Sequence, residues 1–264
     1  MSMTVTDETA LKQHVADELE RVRTRSLGLT TDVLDVDELL AQHSRLMSPL
    51  VWDLAHVGNY EELWLLRAAA GVDPMRPELD DIYDAFEHPR SERPTLPLLR
   101  PDEARHYIGA VRSKVLDSLD TVRLDPTNPL LDKAFVYGMV VQHEHQHDET
   151  MLATHQLRRG AAVLDDTTPE PAPADAGRLP VEVLVPAGTF TMGTSEEAWA
   201  YDNERPGHDV HVPAFWLDTT PVANRAYVSF VEAGGYADPR WWTEAGWDWR
   251  SRSGKRSPAF WLRE

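Results

Sequence analysis

The stretch DDTTPEPAPADAGRLP, Asp165 to Pro180, constrains this chain's fold more than any other feature. It carries four prolines. Proline fixes φ and lacks an N–H, so neither a long helix nor a sheet ladder can run through such a segment. The 264 residues must therefore build their cores on either side of it. From Thr6 to about Gly160 the apolar spacing predicts helices near Glu8–Leu27, Pro49–Ala70, Asp102–Leu119 and Pro129–Arg159. Pro101 before Asp102 suits a helix start, and Gly160 suits a helix stop. Four long helices predict a bundle. Beyond the prolines, VEVLVPAGTFTMG alternates like a strand, and seven of the nine tryptophans (Trp199, Trp216, Trp241, Trp242, Trp247, Trp249 and Trp261) crowd the final third. That density predicts a loop-rich α+β fold pinned by aromatic packing. The expected organisation is an all-α four-helix bundle over 1–162, a linker over 163–180 and an α+β domain over 181–264.

Charge and composition narrow the chemistry. Lys plus Arg total 26 against 44 Asp plus Glu, a net charge of -18, which repels nucleic acid and anionic membranes at long range. Small-molecule partners fit better. No apolar run approaches the roughly 20 residues that span a bilayer, and the N-terminus lacks a basic start and an apolar signal core, so the expected compartment is the cytoplasm. There is no cysteine. Any metal must therefore be held by nitrogen and oxygen.

The stretch VVQHEHQHDETML supplies candidates for that role. On a helix His143 and His147 share one face with Val136, Met139, Val140, Thr150 and Met151, while Glu144, His145 and Asp148 turn away and Gln146 sits at the edge. In PLVWDLAHVGNYEELWLL, Trp52, His56, Tyr60 and Leu63 form one stripe, with Asp53, Glu61 and Glu62 displaced from it. Alone, His56 reads as a hydrogen-bonded core residue. Three inward imidazoles together are costly to bury unpaired and are satisfied by a divalent metal. His143, Glu144 and His147 spell the H-E-x-x-H of zinc proteases, but the extended form needs Gly and His where Thr150 and Ala153 stand. A bundle di-iron site needs two Glu-x-x-His pairs, and only Glu144 with His147 offers one. Glu149 could complete a site of two histidines and a carboxylate, but it points well off the metal face and reads better as an acceptor orienting a ligand ring. A facial site of His56, His143 and His147 remains.

At these residues the sequence resembles the sulfoxide synthases of ergothioneine biosynthesis, the hercynine oxygenases. WDLAHVGNYEELWLLR is similar to that family's first ligand helix, and QHEHQHDETML to its H-x3-H-x-E element. The N-terminal half resembles DinB-type bundles. The stretch from VPAGTFTMG to FVEAGGY resembles the start of a formylglycine-generating-enzyme-like (sulfatase-modifying-factor-like) domain.

The resemblance implies a mononuclear non-haem iron(II) oxidoreductase, with Fe(2+) on His56, His143 and His147. It would join the sulfur of γ-glutamylcysteine to the imidazole of hercynine with O2. Three neutral ligands suit this, leaving the ion cationic and open to a thiolate. The resemblance also places Gln146 on hercynine, Glu149 behind the ligands, and Arg90 and Arg93 on the thiol substrate's carboxylates, where guanidinium forks fit well. Asp202 to Pro206 match a fold-maintaining loop. The family's second domain extends further than Glu264, and the tyrosine acting in the chemistry is expected past that point, so this chain as it stands could be inactive. A zinc-dependent DinB-like thiol transferase or hydrolase is the alternative enzyme. A non-catalytic truncated metal-binding protein is the alternative from another class.

Overall fold

A computed structural model describes residues 5–164, 171 and 179–261. The expected linker lies mostly outside these residues. The chain divides into two compact units, one of Met1–Thr168 with Gly193–His208, the other of Pro169–Met192 with Asp209–Glu264.

The first unit is the helical bundle. Its long helices are α1 (Val5–Gly28), α3 (Leu50–Glu61), α4 (Pro101–Thr121) and α5 (Phe135–Leu157), with a short α2 (Val36–Leu40) between the first two. Acidic residues open α1 and an arginine closes it, which complements the helix dipole. Helix α4 starts at Pro101, where the missing N–H costs nothing, and Glu103 accepts a hydrogen bond from the Arg100 amide at 2.9 Å. Helix α2 is capped by Asp35, whose side chain accepts from the Glu38 amide. Five residues are too short to register as periodicity, so the sequence does not announce it.

One helix boundary differs clearly from expectation, and one helix changes its winding within the expected bounds. The last helix begins at Phe135 rather than near Pro129, because Lys133 and Ala134 adopt left-handed φ values of 50° and 59°. A right-handed helix cannot pass through two such residues. Helix α3 continues to Ala69, but over Glu62–Ala69 as wider π-helical turns.

Apolar residues recurring at three and four build the core: Val15, Leu19 and Val22 on α1, Ile108, Val111 and Val115 on α4, and Val136, Val140 and Met151 on α5 are fully or almost fully buried. Helix α3 packs between α4 and α5, and nearly every residue from Leu50 to Asn59 is buried. Its approach to α4 depends on Gly58. A Cβ there would lie 2.3 Å from Ile108 Cγ2. Gly58→Ala is expected to destabilise the protein by about 1–3 kcal/mol, read as a lowered urea midpoint. A wild-type midpoint would show that α3 and α4 can part without cost.

The segment Gly193–His208, placed with the second domain by the sequence, packs on the bundle. Trp199 stacks on His14, donates from Nε1 to the Lys133 carbonyl at 3.2 Å and accepts from Gln142 Nε2 at 2.9 Å. Gly138 makes room for the ring, since a Cβ there would lie 2.2 Å from Trp199 Cδ2. Arg205 holds the loop together by donating to the Ala200 and Ala198 carbonyls.

The second unit is a small α+β assembly. Strand β1 (Glu182–Val185) pairs antiparallel with β4 (Phe215–Asp218), Glu182 opposite Asp218, and β2 (Gly188–Met192) pairs with β3 (His208–Val212). Helices α6 (Asn224–Glu232) and α7 (Glu244–Ser253) follow. Tyr236 meets Phe230 and Trp242 edge to face, the aromatic pinning the composition suggests. Trp216, Trp241 and Trp249 do not join it; each is more than half exposed. Among the described residues, no large side chain of this unit is fully buried.

Candidate metal centre

Helices α3 and α5 bring His56 together with His143, 87 positions later in sequence, and with His147, one helical turn beyond that. Their ring centroids form a nearly equilateral triangle with sides of 4.6, 4.7 and 5.0 Å. One donor nitrogen from each lies within 4.8 Å of the others.

The outer nitrogens of two rings are already engaged. His56 Nδ1 lies 2.7 Å from the Tyr83 carbonyl, which can only accept, so Nδ1 carries the proton and Nε2 the lone pair. His147 Nδ1 lies 2.9 Å from Asp53 Oδ1, and the same argument applies. His56 Nε2 and His143 Nε2 face each other at 3.2 Å. Two metal–nitrogen bonds of about 2.0–2.1 Å at close to a right angle put their nitrogens about 3 Å apart, so the spacing fits one shared cation. Burial, reinforced by His147, pushes His56 down to about 3. Burial, with His147 and His56, pushes His143 down to about 2. Both rings therefore stay neutral, the form that binds a metal.

The rings are held by stacking. Trp52 lies 4.6 Å from His56 with planes 13° apart, and Tyr60 lies 3.7 Å from His143 with planes 15° apart. The triangle forms one wall of a cleft of about 570 Å³ that also involves Asn59, Tyr60, Trp64, Asp80, Asp84 and Phe86. With candidate donors on one side and space on the other, a cation held by the three rings would keep open positions toward the cleft.

The other expected site residues divide. Gln146 lines the cleft beside the ligands. Arg90 is exposed, donates to the Leu46 carbonyl at 2.6 Å and does not line the cleft. Arg93 is 6% exposed and gives its donors to Ser48 Oγ, the His88 carbonyl and the Ala85 carbonyl. Its guanidinium lies 3.6 Å over the Trp52 ring, so it supports the ring under His56 rather than facing the cleft. Glu149 is exposed, and the carboxylate that meets a ligand ring is that of Asp53. The reason is geometric: six residues on from His143, Glu149 lies well round the helix from the metal face.

Glu144 turns from the metal centre, but into a second buried system. It is 1% exposed, accepts from Arg23 Nε at 2.7 Å and Ser26 Oγ at 2.8 Å, and lies 3.4 Å from Arg112. Arg23 and Arg112 both also bind Glu61, at 2.7 and 2.6 Å. Burial works against the Glu144 carboxylate, yet Arg23, Arg112 and Ser26 together hold its pKa below the ordinary value. This glutamate is structural and takes no part in an H-E-x-x-H site.

Fold and centre together describe a helical bundle carrying a three-histidine candidate metal site, followed in the chain by a smaller α+β unit. The DinB superfamily profile matches residues 18–151, and the chain belongs to that superfamily. The profile of the sulfatase-modifying factor enzyme 1-like domain matches residues 167–260. Among curated proteins, the chain is 46% identical over 256 residues to the hercynine oxygenase of Mycolicibacterium smegmatis, covering 95% of this chain and 57% of that protein. It is 45% identical over 253 residues to that of Mycobacterium tuberculosis, covering 94% and 57%. A shorter match, 33% identical over 85 residues, joins it to the formylglycine-generating enzyme of Bos taurus, covering 32% and 21%. The chain thus spans a little over half the length of the hercynine oxygenases it matches. Among the described residues, no helix is long and apolar enough to cross a membrane.

Proposed function

We propose that this chain forms the metal-binding part of an iron(II)- and O2-dependent hercynine oxygenase. It would join the sulfur of γ-glutamylcysteine to the imidazole of hercynine. The observation that carries this is the open triangle of three neutral imidazoles, in a chain nearly half identical to proteins of that name. The overall change balances as hercynine C–H plus thiol S–H plus O2 giving a carbon–sulfur bond, a sulfoxide oxygen and water. Bound by His56, His143 and His147, iron(II) supplies the redox chemistry toward dioxygen and a Lewis-acid position for sulfur.

The protein's own residues do the rest. Stacking by Trp52 and Tyr60 fixes the ligand rings before anything binds. The cleft offers the Asp84 carboxylate beside Tyr60, Trp64 and Phe86, a surface suited to a quaternary ammonium such as that of hercynine, while the Asp80 carboxylate is already paired with Arg67. Gln146 can present an amide to the bound substrate. In this reading Arg90, exposed outside the cleft lining and with one donor on Leu46, would meet the carboxylate of a thiol substrate that extends beyond the cleft, while Arg93, its donors already engaged, holds Trp52.

The test is anaerobic loading with Fe(II), then hercynine, γ-glutamylcysteine and O2, with mass spectrometry for the sulfoxide conjugate. Its formation with matching oxygen uptake is the expected result. Stoichiometric iron binding without product or oxygen uptake would overturn the oxygenase reading for this chain. Zinc retained from cells with thiol transfer and no oxygen uptake would favour a DinB-like transferase.

A further inference from the structure

We propose that Asp53 is the positioning residue of the metal centre. Its carboxylate holds His147 in one tautomer, aims Nε2 into the triangle and supplies the negative charge that three neutral imidazoles lack. The inference rests on the metal-binding reading above.

Asp53 is 1% exposed within a helix whose neighbours are apolar. A buried carboxylate is costly unless charge or several hydrogen bonds compensate it. Oδ1 has His147 Nδ1 at 2.9 Å, but Oδ2 is buried with no hydrogen-bond partner among the described residues. The cation within electrostatic reach is Arg93, yet its donors go to Ser48, His88 and Ala85 and it forms no ion pair with Asp53. One hydrogen bond and a distant guanidinium leave the carboxylate under-compensated. A divalent ion on His147 Nε2 would sit directly across the imidazole from it, which resolves the imbalance.

The same contact distinguishes the ligands. His56 donates to a neutral carbonyl, whereas His147 donates to a carboxylate. Hydrogen bonding to an anion makes a ring a stronger donor to its metal. Helix α3 therefore contributes twice, with His56 as a ligand and, one turn earlier, Asp53 as the partner of a ligand on α5. The pair ties the two helices across the centre.

Asp53→Asn keeps the shape and removes the charge. Fe(II) affinity would be measured anaerobically against a competing chelator, with the Co(II) d–d absorption spectrum recorded for both proteins and thermal melts of the apoproteins as control. The expected result is binding weakened about 10–100-fold and a shifted cobalt spectrum. The apoprotein should melt no lower, because an under-compensated buried charge has been removed. Should the asparagine variant fail to fold, Asp53→Ser serves in its place, with the same expected outcome. A folded variant with wild-type affinity and an unchanged cobalt spectrum overturns the role of Asp53 alone. So does a lowered melting temperature with both metal readouts unmoved, the mark of a merely structural residue. A wild-type protein that takes up neither metal overturns the metal-binding reading and this inference with it.

Discussion

Replacing His143 by alanine is expected to abolish stoichiometric Fe(II) uptake, weakening affinity by more than the roughly 100-fold that loss of an outer partner can cost. The reason lies in the geometry. His143 Nε2 faces His56 Nε2 at 3.2 Å, so it closes the angle that holds a cation between them. Without it, His56 and His147 remain, both fixed by their outer nitrogens but with an open side. The apoprotein should stay folded. His143 makes no ion pair, so its removal gives up only its stacking on Tyr60 and its hydrogen bond with His56 Nε2. Anaerobic titration of wild type and His143→Ala decides it: unchanged stoichiometric binding in the variant would remove the three-histidine centre from consideration. His56→Ala, on the other helix, should behave alike.

Glu144→Gln is expected to act on stability instead. Two arginines and two glutamates, Arg23, Arg112, Glu61 and Glu144, close a buried ring in which each cation meets both anions. The isosteric amide removes one negative charge and leaves a net positive charge in the core. Breaking a buried pair in this way costs about 3–5 kcal/mol, read from urea unfolding curves. Iron affinity of the folded variant should change little, because Glu144 turns from the cleft. A protease-type site would behave in the opposite way, with stability intact and the metal-centred chemistry lost. Wild-type stability in Glu144→Gln would overturn the structural assignment.

These two outcomes separate residues that stand side by side in sequence, and they show where periodicity is a good guide. It placed His143 and His147 together because a helix puts residues four apart on one face. It placed Trp52, His56 and Tyr60 on one stripe, and the structure stacks Trp52 on His56 and Tyr60 on His143. It failed at Asp53. A residue three positions before His56 looks displaced from an amphipathic stripe, but α3 is central to the bundle and has almost no solvent face. Both edges of the stripe are inside, so a displaced acid is not an exposed one. The available signal was an acidic residue in the apolar run LVWDLAHV, which a buried helix tolerates only with a partner. The same reasoning applies to Glu144, which packs against α1 where a surface helix would meet water.

By itself the sequence determined the ligand chemistry and the layout. A chain without cysteine offers a metal only nitrogen or oxygen donors, two histidines at helical spacing and a third on another expected helix are the candidates, and a run of prolines lies between helix-forming and strand-forming sequence. Only the tertiary structure decided which charged groups answer one another. Asp53 meets His147 across 94 residues, Glu144 meets Arg23 across 121, and Arg93 settles on Trp52 instead of in the cleft. Helical periodicity gives the direction of a side chain about its own axis. The partner it finds depends on how neighbouring helices are placed, and that is set by packing contacts such as Gly58 against Ile108.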